Sequence, residues 1–213
     1  MRGSDGVRDK VAELLGVEMP RKIPLLREAW NLDAAHLPDL DVITSGESAD
    51  TVLDSRGKSW VEVINPRLLK TRRVDIDPAG RPVYRSRYAA RIYVWALGED
   101  WDTSKSARDN LAAAVRLSLI EYPTLTIEGG DTGWLLHEDT ITEEYGEPQR
   151  INRRGGGGPA RVWTGAVLSY EIDAEESTAV GSTRPPLGVN DTTIITPHGY
   201  GPGVPFPDPE ETP

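Results

Sequence analysis

The chain has 213 residues, with 34 aspartates and glutamates against 24 lysines and arginines, for a formal charge of −10. It has no cysteine, which excludes disulfide scaffolds, thiolate metal sites and cysteine nucleophiles, and its acidity argues against gripping nucleic-acid phosphate over the whole surface. No apolar run approaches the roughly 20 residues that span a bilayer, and Met-Arg-Gly-Ser-Asp-Gly has no apolar stretch behind it to act as a secretory signal.

In chain order, Val7, Val11, Leu14 and Leu15 recur at helical spacing and predict a helix over residues 5–16. A second helix is predicted over 24–35, with Pro24 in its first turn, where a missing N–H costs nothing, and Leu25, Leu26, Ala29 and Trp30 as its apolar side. Leu40–Thr44 reads as a short strand, 46–58 as a polar loop and Trp60–Ile64 as a strand closed by Asn65-Pro66. Residues 72–77 are expected to be extended, and Asp77-Pro78-Ala79-Gly80 is a turn signal, so a hairpin into the next strand is expected.

That next strand, Val83–Leu97, is the most informative stretch. Tyr88, Ala90, Ile92, Val94 and Ala96 have one parity, and Arg85, Arg87, Arg91, Tyr93 and Trp95 the other. Side chains alternate across a strand, so the first set faces a core. The second set is too rich in arginine for a core and too aromatic for plain solvent, which marks it as a subunit interface. Gly98 ends the strand. A helix follows from Asp102, read as its N-cap, to Glu121. Its stripe is Ala107, Leu111, Ala114, Val115, Ser118 and Leu119, with Arg108, Asp109 and Arg116 off the stripe, facing water or a neighbour.

Tyr122-Pro123 stops that helix. A short strand is predicted over 125–127, a turn at Gly129-Gly130-Asp131 and a strand over Trp134–Tyr145. Residues 147–160, with Arg150, Arg153 and Arg154 ahead of four glycines, are expected to form an irregular, projecting loop that contacts a partner. Arg161–Asp173 is a strand with Val162, Ala166, Leu168, Tyr170 and Ile172 inward and Trp163, Val167 and Glu171 outward. From 174 to 213 the chain is proline- and glycine-rich, too poor in apolar residues to fold alone, and reads as an extended arm; Asp191–Thr196 within it has the pattern to add a strand to another subunit's sheet edge.

The charge falls in blocks. Residues 66–91 hold eight basic side chains and two acids, 121–147 hold eight acids and no lysine or arginine, and 149–161 hold four arginines and no acid. Blocks of opposite sign suit complementary surfaces within or between subunits. Enzyme templates fail. His36, His137 and His198 share no ligand spacing, and on a strand His137 and Asp139 face away from Glu138, so His137 reads as a lone surface histidine. Gly155–Gly158 is followed by Pro-Ala-Arg rather than the Gly-Lys-Ser/Thr of a phosphate loop, and no Gly-x-Ser-x-Gly is present. No catalytic, cofactor-binding or metal-binding residue is assigned.

The segments Arg87-Tyr88-Ala89-Ala90-Arg91-Ile92-Tyr93-Val94-Trp95-Ala96-Leu97-Gly98, Ala107-Arg108-Asp109-Asn110-Leu111-Ala112-Ala113-Ala114-Val115-Arg116 and Tyr122-Pro123-Thr124-Leu125, with Trp163-Thr164-Gly165-Ala166 in the closing strand, resemble the tail terminator proteins of long-tailed bacteriophages, particularly those of actinobacteria. The resemblance spans residues 36–173, leaving 1–35 as an N-terminal helical segment and 174–213 as the arm. It implies an α+β subunit, mainly an antiparallel sheet packed by helices. Six copies would form a ring that caps the tail tube, joins it to the head-to-tail connector and passes DNA through its lumen without sequence-specific binding. The partners implied are a second copy of the chain, the tube protein and the connector; the location is the head–tail junction of a virion made in the bacterial cytoplasm, with no membrane, enzyme activity or cofactor. In such a ring Glu138, Asp139, Glu143 and Glu144 are lumen candidates, since an acidic wall repels DNA. Two alternatives stand beside it: a head-to-tail stopper or other tail protein, and a small metal-dependent hydrolase using the acids of 121–147.

Overall fold

The computed structural model describes residues 3–44, 59–77, 80, 82–126, 133–147, 149–151 and 161–177. Its centre is the strand whose alternation is clearest in the sequence. β4 (Pro82–Gly98) pairs antiparallel with β7 (Arg161–Ser177) from Val83↔Ser177 to Gly98↔Val162. On one face of this ladder Tyr88, Ala90, Ile92, Val94 and Ala96 meet Leu168, Tyr170, Ile172 and Ala174 in the main core. Burying each of the larger aliphatics contributes about 1.5–3 kcal/mol.

Five further strands complete one sheet. β1 (Leu40–Thr44) runs parallel to β2 (Ser59–Val63), β2 pairs antiparallel with the C-terminal half of β4, and β3 (Arg67–Ile76) with its N-terminal half. β5 (Trp134–Tyr145) and the short β6 (Gln149–Ile151) both pair with β7. The fold is α+β with a mostly antiparallel sheet, as expected. The β3–β4 hairpin also forms, its turn closed by Gly80, whose φ of +78° favours glycine and whose N–H donates to the Asp77 carbonyl at 2.8 Å.

Among the described residues two helices cover the inner face: α1 (Gly3–Trp30) and α2 (Trp101–Glu121). α1 replaces the two helices expected over 5–16 and 24–35. Pro20 and Pro24 lie inside it without ending it, and both are exposed. A proline at i collides with the carbonyl at i−4. Those carbonyls belong to Gly16 and Pro20, themselves exposed, so the defect lies on the water side. The opposite side carries Met19 and Ile23 into the core that holds Val7, Val11, Leu14 and Leu15. Lys22, also buried, pairs with Glu18 at 3.8 Å and with Glu121 at the end of α2. The N-terminal segment therefore shares one core with the sheet.

α2 buries the expected stripe. Its N-cap is Asp100 rather than Asp102: Asp100 is extended and accepts from the Thr103 N–H at 2.8 Å, a bond that holds its carboxyl below the usual value. Arg108, expected to face water or a neighbour, is buried. It donates to the Gly146 carbonyl at 2.7 Å and lies 4.8 Å from the Tyr145 ring centroid. After Tyr122 the chain turns instead of forming the strand expected from 125. Leu125 takes a φ of +56°, its N–H donates to the Tyr122 carbonyl at 2.8 Å, and its side chain is buried in the core. β7 runs on to Ser177, past the expected end at Asp173. No helix among the described residues is long and apolar enough to cross a membrane.

Candidate functional site

The outer face of the sheet, opposite the helices, gathers the residues marked in the sequence as an interface. Its two halves differ chemically, and the β4–β7 register decides which residue falls in which half.

In the half nearer β3 the arginines are met by acids of the same chain. Arg85 lies opposite Glu175 and pairs with it at 2.5 Å. Arg87 lies opposite Asp173: its Nε donates to Oδ1 at 2.7 Å and its Nη2 to Oδ2 at 3.2 Å, while Nη1 reaches Glu171 at 3.2 Å. His137, read as a lone surface residue, joins this cluster. Its Nε2 is 3.0 Å from Arg87 Nη2 and 3.2 Å from Asp173 Oδ2. Burial pushes the Asp173 carboxyl up, but the bonds from Arg87 and His137 outweigh it and hold the group below its usual value. Arg91 falls opposite Ser169. It is exposed and has no side-chain partner among the described residues.

The other half is aromatic. Trp60 on β2 and Gly165 on β7 flank Trp95. The Trp60 and Trp95 rings stack at 5.7 Å between centroids, Trp163 meets Trp60 edge-on at 4.8 Å, and Tyr93 lies nearly parallel to Trp95 at 6.5 Å. Gly165 leaves room here, because a Cβ would sit 3.0 Å from the Trp95 ring, closer than ordinary contact. Trp163 is on the outer face as expected but is 7 % exposed, and Trp60 is 2 % exposed. The indole N–H groups of Trp60 and Trp95 are buried without a hydrogen-bond partner. Beside them is a cleft of about 230 Å³ lined by Tyr93, Trp95, Gly146, Glu147, Trp163, Gly165, Ala166 and Val167.

The sequence reading found Tyr93 and Trp95 but missed Trp60 and Trp163 as their partners. The signal was parity: each of the three tryptophans sits on the alternation phase of its strand that points away from the core.

The remaining candidates are dispersed. Glu138, Asp139 and Glu144 are exposed on β5. Glu143 turns toward α2, pairs with Arg116 at 3.1 Å and accepts from the Tyr145 hydroxyl. Burial and that bond push the Tyr145 phenol up to about 12. Arg150 lies on β6, so regular pairing begins inside the stretch expected to be irregular; Arg153 and Arg154 lie outside the described residues, as do the loop 46–58, the turn at 129–131 and the arm beyond Ser177. Among the described residues no group of three histidines, aspartates or glutamates is placed to hold a metal ion.

No protein-family model and no curated protein matches this chain.

The outer face is thus aromatic at one end, internally ion-paired in the middle, and bordered by the strand β3. All ten residues of β3 are exposed, including Leu68, Leu69, Val74 and Ile76 at 38–52 %. β3 pairs only with β4, which leaves its other edge without a strand among the described residues.

Proposed function

We propose that this chain is a structural subunit of the neck of a long-tailed bacteriophage, a tail terminator whose copies close into a six-membered ring on the tail tube. The resemblance of residues 87–98, 107–116 and 122–125 to that family motivates the reading, and the condition of β3 carries it. A long edge strand with exposed aliphatic side chains is a template for pairing, and natural monomers blunt such edges. β3 is ten residues long and presents Leu68, Leu69, Val74 and Ile76 between Arg67, Lys70, Arg72 and Arg73. A surface of this kind is explained by a second copy that covers it.

A ring is a heterologous assembly in which one patch of each subunit meets a different patch of the next. In this reading β3, together with Arg91, Tyr93 and Trp95, supplies one patch. Each contact would bury about 800 Å² per partner. Arg85 and Arg87 remain with their own acids and fasten β4 to the end of β7 rather than contacting a neighbour. Glu138, Asp139 and Glu144 supply an acidic wall facing DNA; Glu143, tied to Arg116, does not. The tube protein and the head-to-tail connector are the partners above and below the ring. The role is mechanical, with no bond made or broken and no cofactor.

Two measurements test this. Analytical ultracentrifugation follows association of the pure protein, alone and with tail tubes. Immunogold electron microscopy of virions then places the chain. Label at the tube end of the head–tail junction is expected; label at the head side of that junction would make the chain a stopper, and its absence from the junction would refute the reading.

A further inference from the structure

The aromatic cleft lies beside two buried indole N–H groups that have no acceptor among the described residues. Trp95 lines it with a buried indole N–H that has no acceptor, and Trp60, stacked behind Trp95, carries a second. Buried donors are normally paired, so each marks a place where an acceptor belongs. The walls are flat rings with shallow gaps: Tyr93 and Trp95 nearly parallel on one strand, Trp163 across from them, and glycines at 146 and 165 leaving room between. Flat aromatic ridges with an indole donor recognise one kind of polypeptide especially well. A proline-rich segment is extended, makes no internal hydrogen bonds, and offers ring faces for packing together with free backbone carbonyls.

This chain carries such a segment. Residues 197–213 include Pro197, Pro202, Pro205, Pro207, Pro209 and Pro213, with Phe206 between two prolines. Asp208, Glu210 and Glu211 make it acidic. On the receiving face Arg91 stands two residues from Tyr93, exposed and without a partner among the described residues; Glu147 is the acid that lines the cleft among those residues.

We propose that the cleft formed by Tyr93, Trp95, Trp163 and Gly165 binds the proline-rich segment 197–213 of a second copy of this chain. The length of chain beyond β7 allows a second copy to supply the segment. β7 starts at the cleft end of the ladder and finishes at Ser177, opposite Val83, twelve residues along β4 from Trp95 and about 40 Å away at ~3.3 Å per residue. The 28 residues from Ser177 to Pro205 span at most about 90 Å at ~3.1 Å per residue, enough to reach a neighbouring copy. The inference rests on the self-association proposed above and names a contact that would carry it.

The probe is a synthetic peptide of residues 197–213. It is titrated into the full chain carrying Pro205→Ala, Pro207→Ala and Pro209→Ala, so that the protein's own segment does not compete. The peptide contains no tryptophan, so all indole emission comes from the protein, and its change on titration, three of the six tryptophans lying in the cluster, reports binding. Saturable binding is expected. It should weaken about tenfold when the peptide's three prolines are replaced by alanine, and about fivefold in Trp95→Phe, which keeps a ring but removes the N–H. Circular dichroism of Trp95→Phe confirms the fold; should that variant not fold, Arg91→Glu, an exposed change, is expected to weaken binding at least threefold.

Absence of saturation at millimolar peptide, or equal binding of the proline and alanine peptides, overturns the proposal. Sedimentation of the full chain separates its failure from failure of the ring. Association that persists unchanged in the triple-proline variant overturns this contact and leaves the ring standing. Peptide binding by a chain that never associates, alone or on tubes, overturns both the second-copy assignment and the ring.

Discussion

Replacing Gly98 by alanine puts a methyl group where the first turn of α2 crosses the end of β4. An ideal Cβ at Gly98 would lie 2.5 Å from the Ser104 nitrogen, 2.7 Å from its Cα and 2.8 Å from its Cβ. Ordinary carbon contacts are 3.5–4.0 Å, so helix and strand would have to part by about 1 Å. Two of the three colliding atoms are backbone, so no rotamer change relieves the clash. The same shift breaks a buried cluster. The Ser104 hydroxyl donates to the Val162 carbonyl at 3.0 Å and lies 3.0 Å from Thr164 Oγ1, which donates to the Ser104 carbonyl at 2.8 Å. Overpacking costs about 1–3 kcal/mol, and each buried polar group left without a partner adds a similar amount. A loss of about 3 kcal/mol is expected, which for a domain of this size lowers Tm by roughly 6–12 °C. Gly16→Ala is the matched control. Gly16 is exposed inside α1, and a Cβ there meets nothing within 4 Å. That change should raise stability by about 0.5–1 kcal/mol, because glycine is the poorer helix former. Thermal and urea unfolding followed by circular dichroism measure both. A Gly98→Ala protein as stable as wild type would refute the close approach of α2 to β4, and a destabilised Gly16→Ala would refute a helix that continues through that position.

Arg87→Met should cost about 1–3 kcal/mol at pH 7, because it leaves the buried Asp173 with His137 alone. The Asp173 carboxyl is held below its unfolded value, so the contribution is complete above about pH 4 and lost as pH falls through the lower folded value; urea midpoints of the two proteins should converge below about pH 3. Leu111→Ala, at a fully buried site on α2, should cost about 2–5 kcal/mol with an unchanged urea m-value. Leu68→Lys with Ile76→Lys, both on the exposed face of β3, should leave Tm within a few degrees of wild type yet abolish association in sedimentation runs.

The parts of the fold visible in the sequence are those specified within one element. The alternation of β4 announces its two faces, β1 and β5 have the bounds read from composition, and the α2 stripe is buried residue for residue. Local signals failed where the deciding partner is remote. Pro24 reads as a helix start until Met19, Lys22 and Ile23 are seen buried beneath a helix that continues past it. Leu125 reads as a strand until its burial is seen to outweigh a left-handed backbone. The candidate face shows the same division. Parity names Arg85, Arg87, Arg91, Tyr93 and Trp95 as a set, but only pairing with β7 divides them into two arginines with acids and one without.

Charge and sterics both select that pairing. A slip of β4 by two residues would preserve which side chains face the core. It would place Arg91 opposite Glu171 and Arg87 opposite Glu175, but leave Arg85 opposite Ser177 and the buried Asp173 opposite Ala89. The same slip would bring Val167 opposite Trp95, and the isopropyl group would occupy the space that Gly165 leaves for the indole. The unpaired arginine and the aromatic cleft therefore have a common origin. Trp95 packs over Gly165, and in that register Arg91 faces Ser169 with no side-chain partner among the described residues.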